Sequence, residues 1–282
     1  MTIHRVDVSQ GLAQHWLRAV SYGSMDTGKT FFGGGWPRPL FLSVRSENGE
    51  TTLATMPREV RYELDRAPEV WTVGDPGEMT EAVDEAAAII KSDPGRFMTI
   101  VTDSLSLYAD EALHDNFRSQ IQSMKEKPGV RAPRADGRMA YGDTEQTVTY
   151  IVGLLHDLPV HVLHLCLADD PVPELSLKGG PLLPGKQLKK KIPARAGLVI
   201  YHEVQKGARG REFVLHTQTF GHYHARSRYG DLLPEVLPEP RYRYIETALA
   251  LGRPSAAPVE EARPAAAPTR RIMRAPAAPQ ND

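Results

Sequence analysis

Gly23, Gly28, Lys29 and Thr30 stand at the spacing G-x-x-x-x-G-K-T, within Gly23-Ser24-Met25-Asp26-Thr27-Gly28-Lys29-Thr30. That pattern is the signature of a loop that cradles phosphates. Glycine at both ends permits torsions and close approaches that a Cβ would block. Successive N–H groups then turn inward as an anion nest where a helix begins, and the helix dipole adds to the attraction. Lys29 is expected to reach the β- and γ-phosphates of a nucleoside triphosphate, and the Thr30 hydroxyl to ligate Mg²⁺. Asp26 is the misfit. A carboxylate inside the loop repels a triphosphate unless it points outward or meets a base, a metal-bound water or a neighbouring subunit.

Further along, the apolar run Phe97-Met98-Thr99-Ile100-Val101-Thr102 closes on Asp103. An acid ending a strand downstream of such a loop is placed to hold a water on Mg²⁺, with Ser104 beside it. Hydrolysis also needs a group that positions the attacking water. Glu47 is the best-placed carboxylate by chain order and Glu50 the reserve, with a solvated turn acid as the plain alternative. Arg226 and Arg228 are candidates for stabilising charge on a phosphoryl group, in trans on a neighbour's γ-phosphate. Lys186, Lys189, Lys190, Lys191 and Arg195 put five positive charges within ten residues, and Arg131, Arg134 and Arg138 mark a second basic stretch. Such loops can track a nucleic-acid backbone without reading sequence, although a charged helix face in water is the commoner outcome. His161 and His164 point to opposite faces of a strand, and His222 and His224 have no carboxylate or thiol beside them in sequence, so both pairs are read as structural.

The elements that must hold these residues alternate. Residues 17–22 have strand character and stop at Gly23, and the helix after Thr30 is expected to be short, because Gly33-Gly34-Gly35-Trp36-Pro37 cannot sustain it. Strands are expected at 39–44, 70–73, 97–103 and 160–167, and helices at 79–91 and 105–124. A breaker-rich loop at 125–142 precedes a helix capped by Asp143 with Gln146 at its third position. A second long loop at 169–185 leads into a short basic helix at 185–194, then paired strands at 198–204 and 212–219. This order predicts an α/β fold, a mostly parallel sheet flanked by helices with an antiparallel edge pair.

Among 282 residues, 41% are hydrophobic, enough for one large domain over residues 1–250. The remainder, 251–282, is rich in Ala and Pro and is expected to be a disordered tail; Arg270-Arg271-Ile272-Met273-Arg274 within it could touch a partner, with an inert linker as the alternative. A single cysteine, Cys166, excludes an intrachain disulfide and a cysteine zinc cluster. With neither a membrane-length apolar window nor a signal-peptide layout, the expected setting is cytoplasmic, with no membrane partner. The net charge of −1 means that any nucleic-acid contact must come from a local patch.

Taken in order, Gly23 to Thr30, Thr102-Asp103-Ser104, Tyr141-Gly142, His156-Asp157-Leu158-Pro159, Val160-His161-Val162, Pro181-Leu182-Leu183-Pro184-Gly185-Lys186 and Arg226-Ser227-Arg228-Tyr229-Gly230 resemble a known group. It is the RecA-core ATPases that phages encode as single-strand annealing recombinases, the fourth Sak type, among the AAA-like P-loop NTPases. The resemblance spans residues 15–235. It implies a RecA-like core without RecA's accessory domains, and ATP-dependent binding and annealing of single-stranded DNA by a homo-oligomer in phage recombination. The compartment would then be the cytoplasm of a bacterial host, and a single-strand-binding protein is a further candidate partner. The chain departs from the family pattern in three places. Asp26 sits where the family loop has a small residue or Pro. The acid ending the family's second strand is replaced by Phe41-Leu42-Ser43-Val44-Arg45, with Glu47 displaced by two. Leu167-Ala168-Asp169 stands where RecA has a γ-phosphate-sensing Gln. Slow hydrolysis is therefore expected. The alternative is a nucleotide-gated structural or loading factor with little or no hydrolysis. A small-molecule kinase would share the loop but needs a lid and an acceptor pocket that the sequence does not locate.

Overall fold

The apolar runs become strands buried on both faces in a computed structural model that describes residue 12 and residues 15–125, 135–175, 177–207 and 210–251. In chain order they are β1 (Arg18–Gly23), α1 (Lys29–Gly34), β2 (Pro39–Val44), α2 (Gly49–Ala54), β3 (Glu69–Val73), α3 (Pro76–Ser92), β4 (Thr99–Asp103), α4 (Leu105–Lys125), α5 (Gly137–Asp157) and β5 (His161–Asp169). There follow β6 (Gly180–Pro181), α6 (Gly185–Arg195), β7 (Leu198–Gly207), β8 (Gly210–His216), β9 (Arg226–Ser227), β10 (Val236–Leu237) and α7 (Tyr242–Ala248). The sheet runs β10-β8-β7-β1-β5-β4-β2-β3, with β6 on β5 and β9 on β7. Pairs from β7 across to β3 are parallel, while β8, β10, β9 and β6 join antiparallel. The fold is thus α/β with a mostly parallel mixed sheet flanked by helices.

Alternation along each strand sorts the core into two layers. Val20, Tyr22, Leu42, Ile100 and Val199 face Met79 of α3, Tyr108 of α4, Val148 of α5 and Leu188 of α6. Ala19, Phe41, Val101 and Leu165 face the other way, against Phe32 and Trp36 near α1, Leu53 of α2 and Tyr242 of α7. Parallel strands covered on both faces must be apolar nearly throughout, and β2 and β4 are buried at every position. No helix among the described residues is long and apolar enough to cross a membrane.

Several expectations are met closely. The helix at Thr30 is six residues long and ends at Gly34, with Gly35 as its C-cap, and β2 has the predicted bounds. The predicted cap at Asp143 is wrong. Asp136 caps α5 by accepting from Arg138 N at 2.9 Å, so the helix starts at Gly137 and Asp143 lies inside it. Gly137 and Gly142 each cost about 1 kcal/mol in a helix; burial of Ala140, Thr144, Val148, Ile151 and Val152 on one face outweighs that. The expected helix at 79–91 begins earlier, at Pro76, because the Asp75 side chain accepts from Gly77 N and Glu78 N. Two helices escaped the sequence reading altogether, α2 and α7, as did the two-residue strands β6, β9 and β10. At the chain's far end Leu251 is buried in the α1-side core, one residue past the expected domain boundary, and the expected tail from 252 onward lies outside the described residues.

Candidate functional site

β1, β5 and β4 are parallel neighbours, so β1 and β4 finish at the same edge of the sheet with one strand between them. The Gly23–Thr30 loop leaves that edge from β1, and Asp103 ends β4. α1 folds back over the face that Asp103 occupies. As a result the Thr30 hydroxyl donates to Asp103 Oδ2 at 3.1 Å, joining residues 73 apart in sequence.

The loop is shaped by close contacts that its residue types permit. A Cβ at Gly23 would lie 2.7 Å from Thr27 Oγ1 and 2.8 Å from the His202 carbonyl, so only glycine fits. Thr27 Oγ1 donates to Ser24 O at 2.9 Å, closing the turn. Asp26 has φ 59°, a left-handed conformation that Asp tolerates better than most residues, and its side chain is exposed. The misfit of the sequence therefore sits in solvent rather than in a closed pocket. Gly28, at φ 78°, precedes α1 without any side-chain cap, leaving the first N–H groups of the helix without a side-chain acceptor. Lys29 Nζ meanwhile donates to Gly23 O at 3.0 Å and Ser24 O at 2.6 Å. Burial lowers the Lys29 pKa, while Asp103, Glu47, Cys166 and Asp26 hold it up.

Behind the loop stands a residue that the sequence reading passed over. His202, fully buried in β7 opposite Gly23, has Nδ1 at 3.2 Å from the Thr27 carbonyl and Nε2 at 2.5 Å from Ser21 Oγ. The carbonyl can only accept, so Nδ1 carries the proton and Ser21 donates to Nε2. Burial pushes the imidazole down to about 3, so it stays neutral and keeps that arrangement. It pins the loop from beneath. No local signal marks it, because its partner Ser21 lies 181 residues away.

The acidic side of the site comes from two neighbouring strands, β2 and β4, and the turns that follow them. Glu47 sits in the turn after β2, with its N–H donating to Val44 O, and its Oε2 accepts from Ser104 Oγ at 3.0 Å. Asn48 at φ 52° turns the chain into α2. A Cβ at Gly49 would stand 2.8 Å from Asp103 Oδ2, so glycine lets the turn lean onto the acid. Burial first, and then the charge of Glu47, push the Asp103 carboxyl up to about 7, against the Thr30 bond and Lys29. Ser43, paired in register with Asp103 and 1% exposed, has an Oγ with no partner among the described residues. Thr30, Asp103, Glu47 and the orphaned Ser43 hydroxyl form an all-oxygen donor set, which suits a hard cation such as Mg²⁺. Among the described residues no group of three or more His, Cys, Asp or Glu could hold a metal ion; Mg²⁺ bound through one or two protein oxygens completes its shell with waters and phosphates.

The remaining candidates are scattered. Arg226 and Arg228 lie in and beside β9, which pairs with the start of β7, at the sheet edge opposite the loop. Arg226 Nη2 donates to the Pro193, Ala194 and Ala196 carbonyls and Arg228 Nη2 to Ala194, so both close off the C-terminus of α6. Of the basic residues of α6, Lys189 pairs with Asp169 at 2.6 Å, Lys191 with Glu145, and Arg195 donates to Thr149 O at 3.3 Å. Lys186 and Lys190 are exposed and form no ion pair among the described residues. Tyr141 packs against Gly185, which brings exposed Arg138 in the first turn of α5 to the same end as Lys186. Arg131 and Arg134 lie outside the described residues. The buried pair His161 and His164 is structural: Leu17 N donates to His161 Nδ1, and His164 contacts Thr102 and His156. No protein-family model matches the chain, and a search of the curated proteins finds no match.

Proposed function

We propose that the chain is a RecA-like P-loop ATPase that uses Mg²⁺-ATP to bind and anneal single-stranded DNA. The observation that carries the reading is the 3.1 Å bond from Thr30 to Asp103, with Lys29 folded back onto the Gly23 and Ser24 carbonyls of the same loop. Thr30 and Asp103 would hold Mg²⁺, which supplies positive charge against the phosphate oxygens when bound. Lys29 exchanges its two loop carbonyls for phosphate oxygens. Glu47, oriented by the Ser104 hydroxyl, is the acceptor that aligns the attacking water. His202 and Ser21 keep the loop N–H groups aimed at the anion.

For DNA, the support is exposed Arg138 and Lys186 at one end of the α5–α6 pair, with exposed Lys190 one turn further along α6. Assembly as a homo-oligomer belongs to the same proposal. Arg226 and Arg228 are too far round the sheet to serve their own loop, and serving a neighbour's would require giving up the carbonyls that they now hold. One observation favours the nucleotide-gated factor with little hydrolysis as a second reading. The intervening strand β5 ends on Asp169, engaged by Lys189, where RecA has its sensing Gln.

The deciding measurement is phosphate release by the full chain with and without single-stranded DNA. Lys29→Ala should lower turnover by about 100-fold or more, the scale of removing one charge-stabilising group. Unchanged turnover would refute the enzymatic reading; tight ATP binding without release, with or without DNA, would select the gated factor instead.

A further inference from the structure

β7 and β8 form a hairpin that outruns the strand carrying the phosphate loop. Gly23, the last residue of β1, pairs with His202, whereas β7 continues to Gly207. The projecting part therefore stands as a wall beside the loop. Strand alternation puts Phe213 on the same face as Leu215, which belongs to the α1-side core. Phe213 has no such cover. It is 41% exposed, and its ring lies against the loop, 3.2 to 3.5 Å from where a Cβ of Gly28 would be. The ring is left open beside the loop, paired across the hairpin with Val204 and flanked along its own strand by Glu212 and Val214.

Its position in the sheet gives the ring a direction relative to the rest of the site. Asp103 stands two strands to one side of β1, beyond β5; Phe213 stands two strands to the other side, beyond β7. Strand spacing sets the two about 19 Å apart across the edge. A triphosphate whose last phosphate lies toward Thr30 and Asp103 runs its other end, the sugar and base, away from β4 and toward the hairpin.

We propose that Phe213 is the stacking platform for the nucleobase. This inference rests on the nucleotide reading above and names the residue that holds the end of the ligand opposite the chemistry. An aromatic face accepts any base, since every base has a π-face, so the platform adds affinity with little discrimination between purines.

The test measures dissociation constants by calorimetry, in Mg²⁺, for ATP and for inorganic tripolyphosphate, on the full chain and on Phe213→Ala, Phe213→Leu and Phe213→Trp. Phe213→Ala and Phe213→Leu should weaken ATP by about tenfold or more while leaving tripolyphosphate within about twofold of the parent, and Phe213→Trp should restore ATP binding. Phe213→Leu keeps an apolar side chain against Gly28 without a π-face, so it separates stacking from support of the loop. The platform is refuted if Phe213→Leu binds ATP as the parent does, or if ATP and tripolyphosphate weaken together. If the parent chain binds neither ligand, the nucleotide reading itself falls, and the subsite falls with it.

Discussion

Asp103 shows how a single carboxyl can be costly to the fold and necessary to the site. Its folded pKa of about 7 lies above the ordinary value of 3.8, because burial and the nearby Glu47 disfavour its charge. An acid raised in this way stabilises the fold while it is protonated, and that contribution is lost as pH rises from about 4 through 7. Asp103→Asn, which keeps an oxygen for the Thr30 hydroxyl, should therefore raise the melting temperature by several degrees at pH 8 and by clearly less at pH 5. In the parent chain, Mg²⁺-dependent nucleotide affinity should rise with pH through about 7 as the carboxylate forms, and in Asp103→Asn that rise should vanish. Melting curves at the two pH values check the first half; an unchanged or lower melting temperature at pH 8 would mean that the charge is not buried as described. The same residue-level crowding explains Gly49, which leans on Asp103 Oδ2 where any side chain would collide with it.

At the level of elements, α6 carries five basic residues but presents only part of that charge. Lys189 and Lys191 are spent on Asp169 and Glu145, and Arg195 on a carbonyl of α5. Reversal of the two exposed lysines, Lys186→Glu with Lys190→Glu, should therefore weaken single-stranded DNA binding most and flatten its dependence on salt. Each lost phosphate contact removes roughly 0.7 from the logarithmic salt slope, so the double variant should lose about 1.4 or more. A slope that stays the same would remove α6 from the DNA surface. The sequence displayed the charge of this helix but not its pairing, since Glu145 is 46 residues from Lys191. A similar division runs through the fold. Strands bounded by Gly, Pro and polar turns were legible to within two or three residues, because apolar runs and breakers are local. The start of α5 was not, since Asp136 sits among breakers and only the buried face beyond it reveals the helix. α7 was missed because a seven-residue helix offers too few turns for periodicity; what holds it is Tyr242 on Trp36 and His161, contacts far apart in the chain. In the site, loop and acids could be read from spacing, while His202 and Phe213 reach the loop only through strand pairing.

The molecule as a whole stores an acid sensitivity in its buried histidines. His156 is driven down to about 4, His161 and His202 to about 3, and His164 well below its ordinary value, each mainly by burial. The bonds of His161 and His202 need the neutral ring, and the His156–His164 contact rules out charging both of its rings at once. Leu17 N donates to His161, Ser21 Oγ to His202, and His156 and His164 face each other through Nε2 at 3.1 Å, where at most one proton fits. A histidine depressed in the fold contributes stability above its unfolded pKa of 6.5 and loses it as pH falls. Each one gives a slope of about 1.4 kcal/mol per pH unit, so four approach roughly 5, and Asp103 taking up its proton returns about 1.4 of that. Set against a total stability on the order of 5–15 kcal/mol, a net slope near 4 exhausts the fold within a few pH units below 6.5. The chain should therefore lose stability steadily as pH falls below 6.5 and unfold cooperatively on the acid side, seen as coincident loss of helical circular dichroism and of the environment of Trp36, which packs beside His161. His202→Gln should also lower the steepness of that transition, because one of the titrating rings is gone. A melting temperature that does not fall between pH 6.5 and 5 would show that these rings are not held neutral by the fold.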